Sequence, residues 1–510
     1  MLSRCAKWNR KFFAMHKQNL SRRLKTAMPY RPRMKGGRDS ASIKGTTGFS
    51  PGRAPFFSWI TKGISAKNTQ ELLSLRAKTL LRNPHLLGNF FHYRYAISIL
   101  GWDYDKVFKN GRLDLDPNKW ADFGALNFHI GPPKSVIRYL KERIISKNIT
   151  YYPPDLITPL RDIVAKQIFK RSRSKEFDVI GTEGTQAAMA YAILTLINPG
   201  DEVIITDPGY FFFEPPIIMA GGKTKRIILC KENNYRIDPD NLKKEISRKT
   251  RMIIVCDPIN PFGTVQTKEE LIEIIKMANR HNIIILNNIT HGFHRIKPEI
   301  KHYPMTSLKN INLKNVVAIS GLSHGYGMAG LRIGFLAGHQ ELLRPILLTK
   351  SAITRININL LAQYAALAAL QDRQYLKKCD VILRENFSIL KGIIREIPNL
   401  SLIIEPGYGF SAVIDTSKIM ASSQEITVAL LKRRCAVYPS DGFGDIHATS
   451  YIRINFSTPY KKHFYWLREA LPSAIHEAET RKYRKAVINF FKSVGTKRAK
   501  KIIRDINMIR

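Results

Sequence analysis

The chain has 510 residues, 44% of them hydrophobic, which is enough to bury a large core and too apolar for a disordered polymer. Its formal net charge is +42, from 82 Lys/Arg against 40 Asp/Glu, a surplus that enzymes of small metabolites rarely need and that phosphate backbones attract. Five cysteines in no paired spacing exclude a disulfide framework, and Cys and His occur in no zinc-type spacing, so no metal site is expected.

The charge is unevenly spread. Residues 1–53 carry 14 Lys/Arg and one acid, Asp39, while residues 481–510 carry 11 Lys/Arg and one acid, Asp505. The stretch between them still keeps a surplus of +19. The first 35 or so residues are rich in Arg, Lys and Ser and free of acid, and Trp8, Phe12, Phe13, Met15 and Leu20 supply an apolar helical face. That composition predicts a mitochondrial presequence and matrix localisation; a basic arm that binds nucleic acid is the alternative. No apolar run reaches the roughly 18 residues of a membrane span.

Residues 36–55 read as a Gly/Ser/Pro linker, and leucines and aromatics at helical spacing from Glu71 to Leu100 predict an added helical segment within 54–125. Through the centre, short β-rich runs alternate with helical stretches: Asp178–Gly181, Glu202–Thr206, Arg226–Leu229, Met252–Cys256, Ile283–Asn287, Val316–Ser320 and Ile333–Ala337. This alternation predicts an α/β fold with a mostly parallel sheet covered on both faces, over residues 126–370. After Leu370 a long helix and then strands ending in TSYIRINFSTP predict a smaller α+β domain over 371–475. The last stretch, 476–510, reads as one or two basic helices with an apolar stripe (Val487, Phe490, Phe491, Val494) and a phosphate-facing charge.

The segment VVAISGLSHGYGMAGLRIGF, Val316–Phe335, resembles the cofactor-lysine segment of class I/II aminotransferases, the fold-type I pyridoxal-phosphate (PLP) enzymes. The resemblance runs from Asn127 to about Leu471, and seven strands is also the family's number for its large domain. It implies that Ser323-His324 stands where the family has Ser-Lys, and that Arg332, eight residues on, holds the cofactor phosphate together with the Gly184-Thr185-Gln186 loop. It places Tyr210 of DPGYFFFEP over the cofactor ring. Asn260 of DPINPFG falls at the ring hydroxyl, with Asp257 and Phe262 departing from the family pattern and Pro258, Pro261 and Gly263 keeping it. Arg453 of YIRINFS falls at the substrate carboxylate. Tyr151 matches the tyrosine that a second subunit sends to the phosphate, although Leu156 replaces the glycine that should follow.

Two central positions depart from the pattern. Imidazole at His324 has no primary amine with which to bond the cofactor aldehyde. Asn287 replaces the aspartate that keeps the pyridine nitrogen protonated, and Asn288 and Thr290 replace its Glu and Tyr neighbours. The glycines Gly330 and Gly334 survive. From these losses the sequence predicts a catalytically inactive scaffold in mitochondria, with no bound cofactor, or PLP at most non-covalently. Its expected partner is RNA or a ribonucleoprotein such as the mitochondrial ribosome, with a homodimer inherited from the family. An enzyme using His324 as a base with PLP or pyridoxamine phosphate, and a regulator that binds an amino acid or PLP non-covalently, are the alternatives.

Overall fold

A computed structural model describes residues 73–81, 90–102, 108–109, 112–113, 116–124 and 127–509. The linker and presequence expected from the sequence lie outside these residues. Within the expected N-terminal helical segment, α1 (Leu75–Leu81) and α2 (Phe90–Ile99) are formed.

The main sheet has seven strands: β1 (Phe177–Thr182), β2 (Glu202–Asp207), β3 (Lys223–Ile228), β4 (Thr250–Cys256), β5 (Ile284–Asn288), β6 (Val316–Gly321) and β7 (Gly334–His339). Their order is β1-β7-β6-β5-β4-β2-β3, with β7 antiparallel to both its neighbours and all other pairs parallel. The central strands are buried on both faces, which is why they read as continuous apolar runs rather than alternating ones. All six residues of β6 are buried, and each large apolar side chain such as Ile319 contributes about 1.5–3 kcal/mol by leaving water. The edge strand β3 starts three residues before its sequence-predicted position. Its first residues, Lys223-Thr224-Lys225, are polar, but the Gly221-Gly222 turn sets their register against Glu202–Ile204.

Helices cover the sheet. The small residues of α3 (Thr185–Leu196), Ala188 and Ala192, are fully buried and bring its backbone close to β6 and β7. The amphipathic α4 (Lys268–Arg280) starts in a capping box, Thr267 with Glu270, and buries Leu271, Ile274, Ile275 and Ala278 at helical spacing. Then follow α5 (Gln340–Thr354), α6 (Leu360–Gln371) and the 22-residue α7 (Tyr375–Glu396), which buries Cys379, Leu383, Phe387, Leu390 and Ile394 along one stripe. The second sheet is antiparallel, in the order β8-β9-β11-β10, formed by β8 (Ser401–Ile404), β9 (Ser411–Asp415), β10 (Tyr438–Pro439) and β11 (Tyr451–Asn455). It packs with α8 (Ser423–Lys432), on which α9 (Lys462–Glu479) packs in turn.

The chain ends in a helical hairpin, α10 (Arg484–Val494) and α11 (Lys497–Met508), turned by Gly495 at φ +70° and capped by the Thr496 hydroxyl. The predicted stripe is used: Val487 and Phe491 are buried, and Phe490 and Val494 pack partly against the core. A second stripe, Ala499, Ile502 and Ile506 of α11, docks as well. None of the helices among the described residues is long and apolar enough to cross a membrane.

Candidate active site

Parallel strands deliver their following loops to one edge, and ligand sites in open α/β sheets form there. Gly184-Thr185 follows β1, Tyr210 follows β2, Asn260 follows β4, His291 follows β5 and His324 follows β6. Arg332 enters from the start of the antiparallel β7, where Gly334 pairs with both Thr182 and Gly321.

At the phosphate end, Gly184 has φ +94°, and an added Cβ would meet the Arg332 Nη2 at 2.6 Å. Gly334 is pressed against the same loop, where a Cβ would come within 2.5 Å of the Gly184 carbonyl carbon. Arg332 itself is in the left-handed region, φ 49° and ψ 56°, a conformation that costs a non-glycine residue about 1–3 kcal/mol. Its Nη1 donates to the Ala329 carbonyl at 3.1 Å and its Nη2 to the Glu183 carbonyl at 3.4 Å. The guanidinium thus lies at the N-terminus of α3, where free N–H groups and Thr185 Oγ1 add anion-binding donors.

At the carboxylate end, Arg453 on β11 is almost completely buried. Its Nη2 donates to the Gly124 carbonyl at 2.9 Å, its Nη1 lies 3.5 Å from Asn260 Oδ1, and its guanidinium sits over the rings of Tyr438 and Phe443. The Asn260 Nδ2, also buried, has no hydrogen-bond partner among the described residues. Burial raises the Tyr210 phenol above its ordinary range, and the charges of Arg332 and Arg453 both oppose that shift. Tyr210 therefore lies within electrostatic reach of both Arg332 and Arg453.

His324 is not alone. His291 stacks on it with ring centroids 5.1 Å apart and planes 11° from parallel, and Phe410 packs on both rings. Burial drives the His291 pKa well below 6.5, helped by the charges of His324 and Arg453. The sequence reading missed His291 and Phe410. No local pattern signals the pair: it follows from the parallel pairing of β5 with β6, which sets the loops after both strands side by side.

Asn287 is tied to the backbone at both ends of its amide. Its Nδ2 donates to the Val255 carbonyl at 3.3 Å and its Oδ1 accepts from the Met305 N–H at 3.1 Å. Both amide atoms are spent on backbone. Asn288 Oδ1 accepts from the Thr290 N–H and hydroxyl, closing a tight turn, and Thr290 Oγ1 reaches to 3.5 Å of Thr185 Oγ1. Phe262 stacks on Tyr235, and the Asp257 carboxylate accepts from the Gln266 N–H and faces His302 Nε2 at 3.4 Å.

Tyr151 is 68% exposed. Leu156 is buried and packs against Gly181. Beside it lies a buried charge cluster the sequence did not reveal. Lys350 is fully buried, with Nζ 3.7 Å from Asp155, 4.0 Å from Glu183 and donating to the Arg355 carbonyl at 3.3 Å. Burial pushes the Asp155 carboxyl up to about 6, against the pull of Lys350 and Arg161. Lys350 thereby braces the segment after Tyr151 against Glu183, next to the phosphate loop.

Residues 118–463 match the family model described as aminotransferase class I and II. An aspartate aminotransferase of Pyrococcus abyssi is 28% identical over 340 residues, covering 65% of this chain and 85% of that one. Aromatic-amino-acid aminotransferase 2 of Thermococcus litoralis is 28% identical over 354 residues, 66% of this chain and 89% of that one. Among solved structures, an aromatic aminotransferase from Pyrococcus horikoshii superposes with a TM-score of 0.62 at 24% identity, covering 72% of this chain and 97% of that one. An aspartate aminotransferase double mutant from Thermus thermophilus gives 0.65 at 20% identity, over 80% and 99%; both show the shared fold.

These findings correct the expectation that the site takes no cofactor, because the relatives are aminotransferases and that class works with PLP. The expectation rested on His324 and Asn287, with Asn288, Thr290 and Leu156 as further departures. The phosphate, ring and carboxylate contacts of a cofactor site are physically separate from its covalent bond, and the residues for those contacts fit: Thr185 and Arg332, Tyr210 and the orphaned Asn260 amide, and Arg453. The covalent position and the pyridine-nitrogen position do not fit. A family model spanning some two-thirds of the chain, over the fold it implies, establishes that the chain belongs to the class I and II aminotransferases.

Proposed function

We propose that the protein holds a PLP-type cofactor by its phosphate at Thr185 and Arg332 and an amino- or keto-acid carboxylate at Arg453. The His324–His291 pair then stands where the family has its lysine. The observation that carries this reading is that Arg332, Tyr210 and the stacked His291 and His324 gather at one edge of the main sheet, with Arg453 of the second sheet within electrostatic reach of Tyr210 and His291. When bound, the cofactor supplies an electron sink for carbanion chemistry; with Asn287 spent on backbone, that sink lacks its usual carboxylate. What this chain's own residues supply is anion binding and a neutral imidazole. Burial and the neighbouring charges keep His291 neutral beside His324, while Arg453 would fix the carboxylate by charge-assisted hydrogen bonds. Thermal-shift titration with PLP and with pyridoxamine phosphate tests the reading. Stabilisation that rises with ligand and disappears in Arg332→Ala supports it; no stabilisation by either ligand overturns it.

A second reading is favoured by the net charge of +42. We propose that the fold also serves as a basic scaffold in an RNA-containing assembly of mitochondria, the mitochondrial ribosome being the leading candidate. The substitutions at 287 and 324 are those expected where transamination is no longer selected. Sedimentation of a cell extract distinguishes the outcomes: co-migration with large RNA-containing particles, reversed by high salt, supports it, whereas a small particle at low salt contradicts it.

A further inference from the structure

We propose that the outward face of the C-terminal hairpin binds the phosphate backbone of a structured RNA, an inference that rests on the RNA-assembly reading and names its surface. The hairpin lies beyond the residues matched by the family model and is built with two opposed stripes. In α10 the buried Val487 and Phe491 lie opposite the exposed Lys485 and Lys492, which are seven residues apart and so share a face. In α11 the buried Ala499, Ile502 and Ile506 lie opposite the exposed Lys497, Lys500 and Arg504, spaced i, i+3, i+7. The rings of Phe490 and Phe491 meet Tyr95 of α2 at 5.4 and 6.0 Å, so the docking is specific as well as apolar.

Some of the hairpin's cations are already used. Arg484 turns inward to Glu425 and the Ile509 carbonyl, Arg498 to Asp445 and the carbonyls of Asp441 and Gly444, and Lys501 pairs with Asp505, the only acid of residues 481–510. The cations that remain outward therefore have no acid of their own segment left to neutralise them. Both helices are held along their length by buried stripes, so neither projects as a recognition helix into a DNA major groove. A fixed cationic surface reads phosphate positions rather than bases, which suits the irregular backbone of folded RNA.

The test uses the full chain and a fluorescent RNA stem-loop, titrated across a range of salt, beside duplex DNA of equal length. Replacing Lys485, Lys492, Lys497 and Lys500 by Gln should weaken RNA binding at least about tenfold and lower the slope of log K against log salt by roughly 3, since each phosphate contact contributes nearly one. The four Lys→Arg replacements should keep the binding, and thermal melting should show both variants folded. If the wild-type chain fails to bind RNA at low salt, the assembly reading falls with this one. If it binds and the Gln variant is unchanged, the hairpin assignment alone is overturned. Equal or tighter binding of duplex DNA overturns the assignment to RNA.

Discussion

An amide at position 287 satisfies a carbonyl and an N–H at once, which no carboxylate can do. Asn287→Asp would aim a carboxylate oxygen at the Val255 carbonyl 3.3 Å away and leave that carbonyl without its donor. The loss should be about 1–3 kcal/mol in urea unfolding, so restoring the family residue alone should destabilise the chain. His291 gives a pH signature. Its folded pKa is depressed below the unfolded value near 6.5, so above 6.5 it costs nothing, and as pH falls below that the unfolded chain takes up the proton first and stability declines. His291→Gln should flatten the fall of melting temperature on the acid side of pH 6.5, and an unchanged profile would remove His291 as its source. Thr185, Tyr210, Asn260, Arg332 and Arg453 were singled out by the family resemblance, through short local motifs in chain order. The backbone partners of Asn287 and the stack on His324 were not, since they depend on residues from other strands.

Among the elements, α10 and α11 do more than add charge. Arg498 on α11 donates to the carbonyls of Asp441 and Gly444, and this loop in turn closes on β2: Asp207 accepts from the N–H groups of Asp445 and Ile446, and Gly209 donates to the Phe443 carbonyl at 2.6 Å. The Phe443 ring faces the Arg453 guanidinium. Arg498→Ala should therefore lower stability by about 1.5–3 kcal/mol and weaken binding of a dicarboxylate such as succinate while leaving phosphate binding intact. Equal loss of both ligands would mean that the whole site collapsed. Ile502→Ala, which empties a docked position of α11, should cost about 2–5 kcal/mol in the same unfolding assay. Strands buried on both faces announced themselves as apolar runs; the polar start of β3 and the docking of α11 did not, because edge pairing and tertiary contact override local composition.

For the whole molecule, the family fold accounts for residues 118–463, and the charge does not follow from it. Composition made that surplus visible at once, yet only the docked hairpin shows how part of it is held at fixed spacing. On the proposed reading, a chain with Thr185 and Arg332 for the phosphate, Arg453 for the carboxylate and a histidine at 324 should bind the cofactor without capturing it. The decisive measurement is borohydride treatment of the PLP-saturated protein, followed by the intact mass of the chain. The wild type should show saturable PLP binding and no added mass, His324→Lys should gain the mass of one reduced cofactor, and Arg332→Ala should bind none. A wild-type chain that gains that mass, or that shows no saturable binding, would contradict the account.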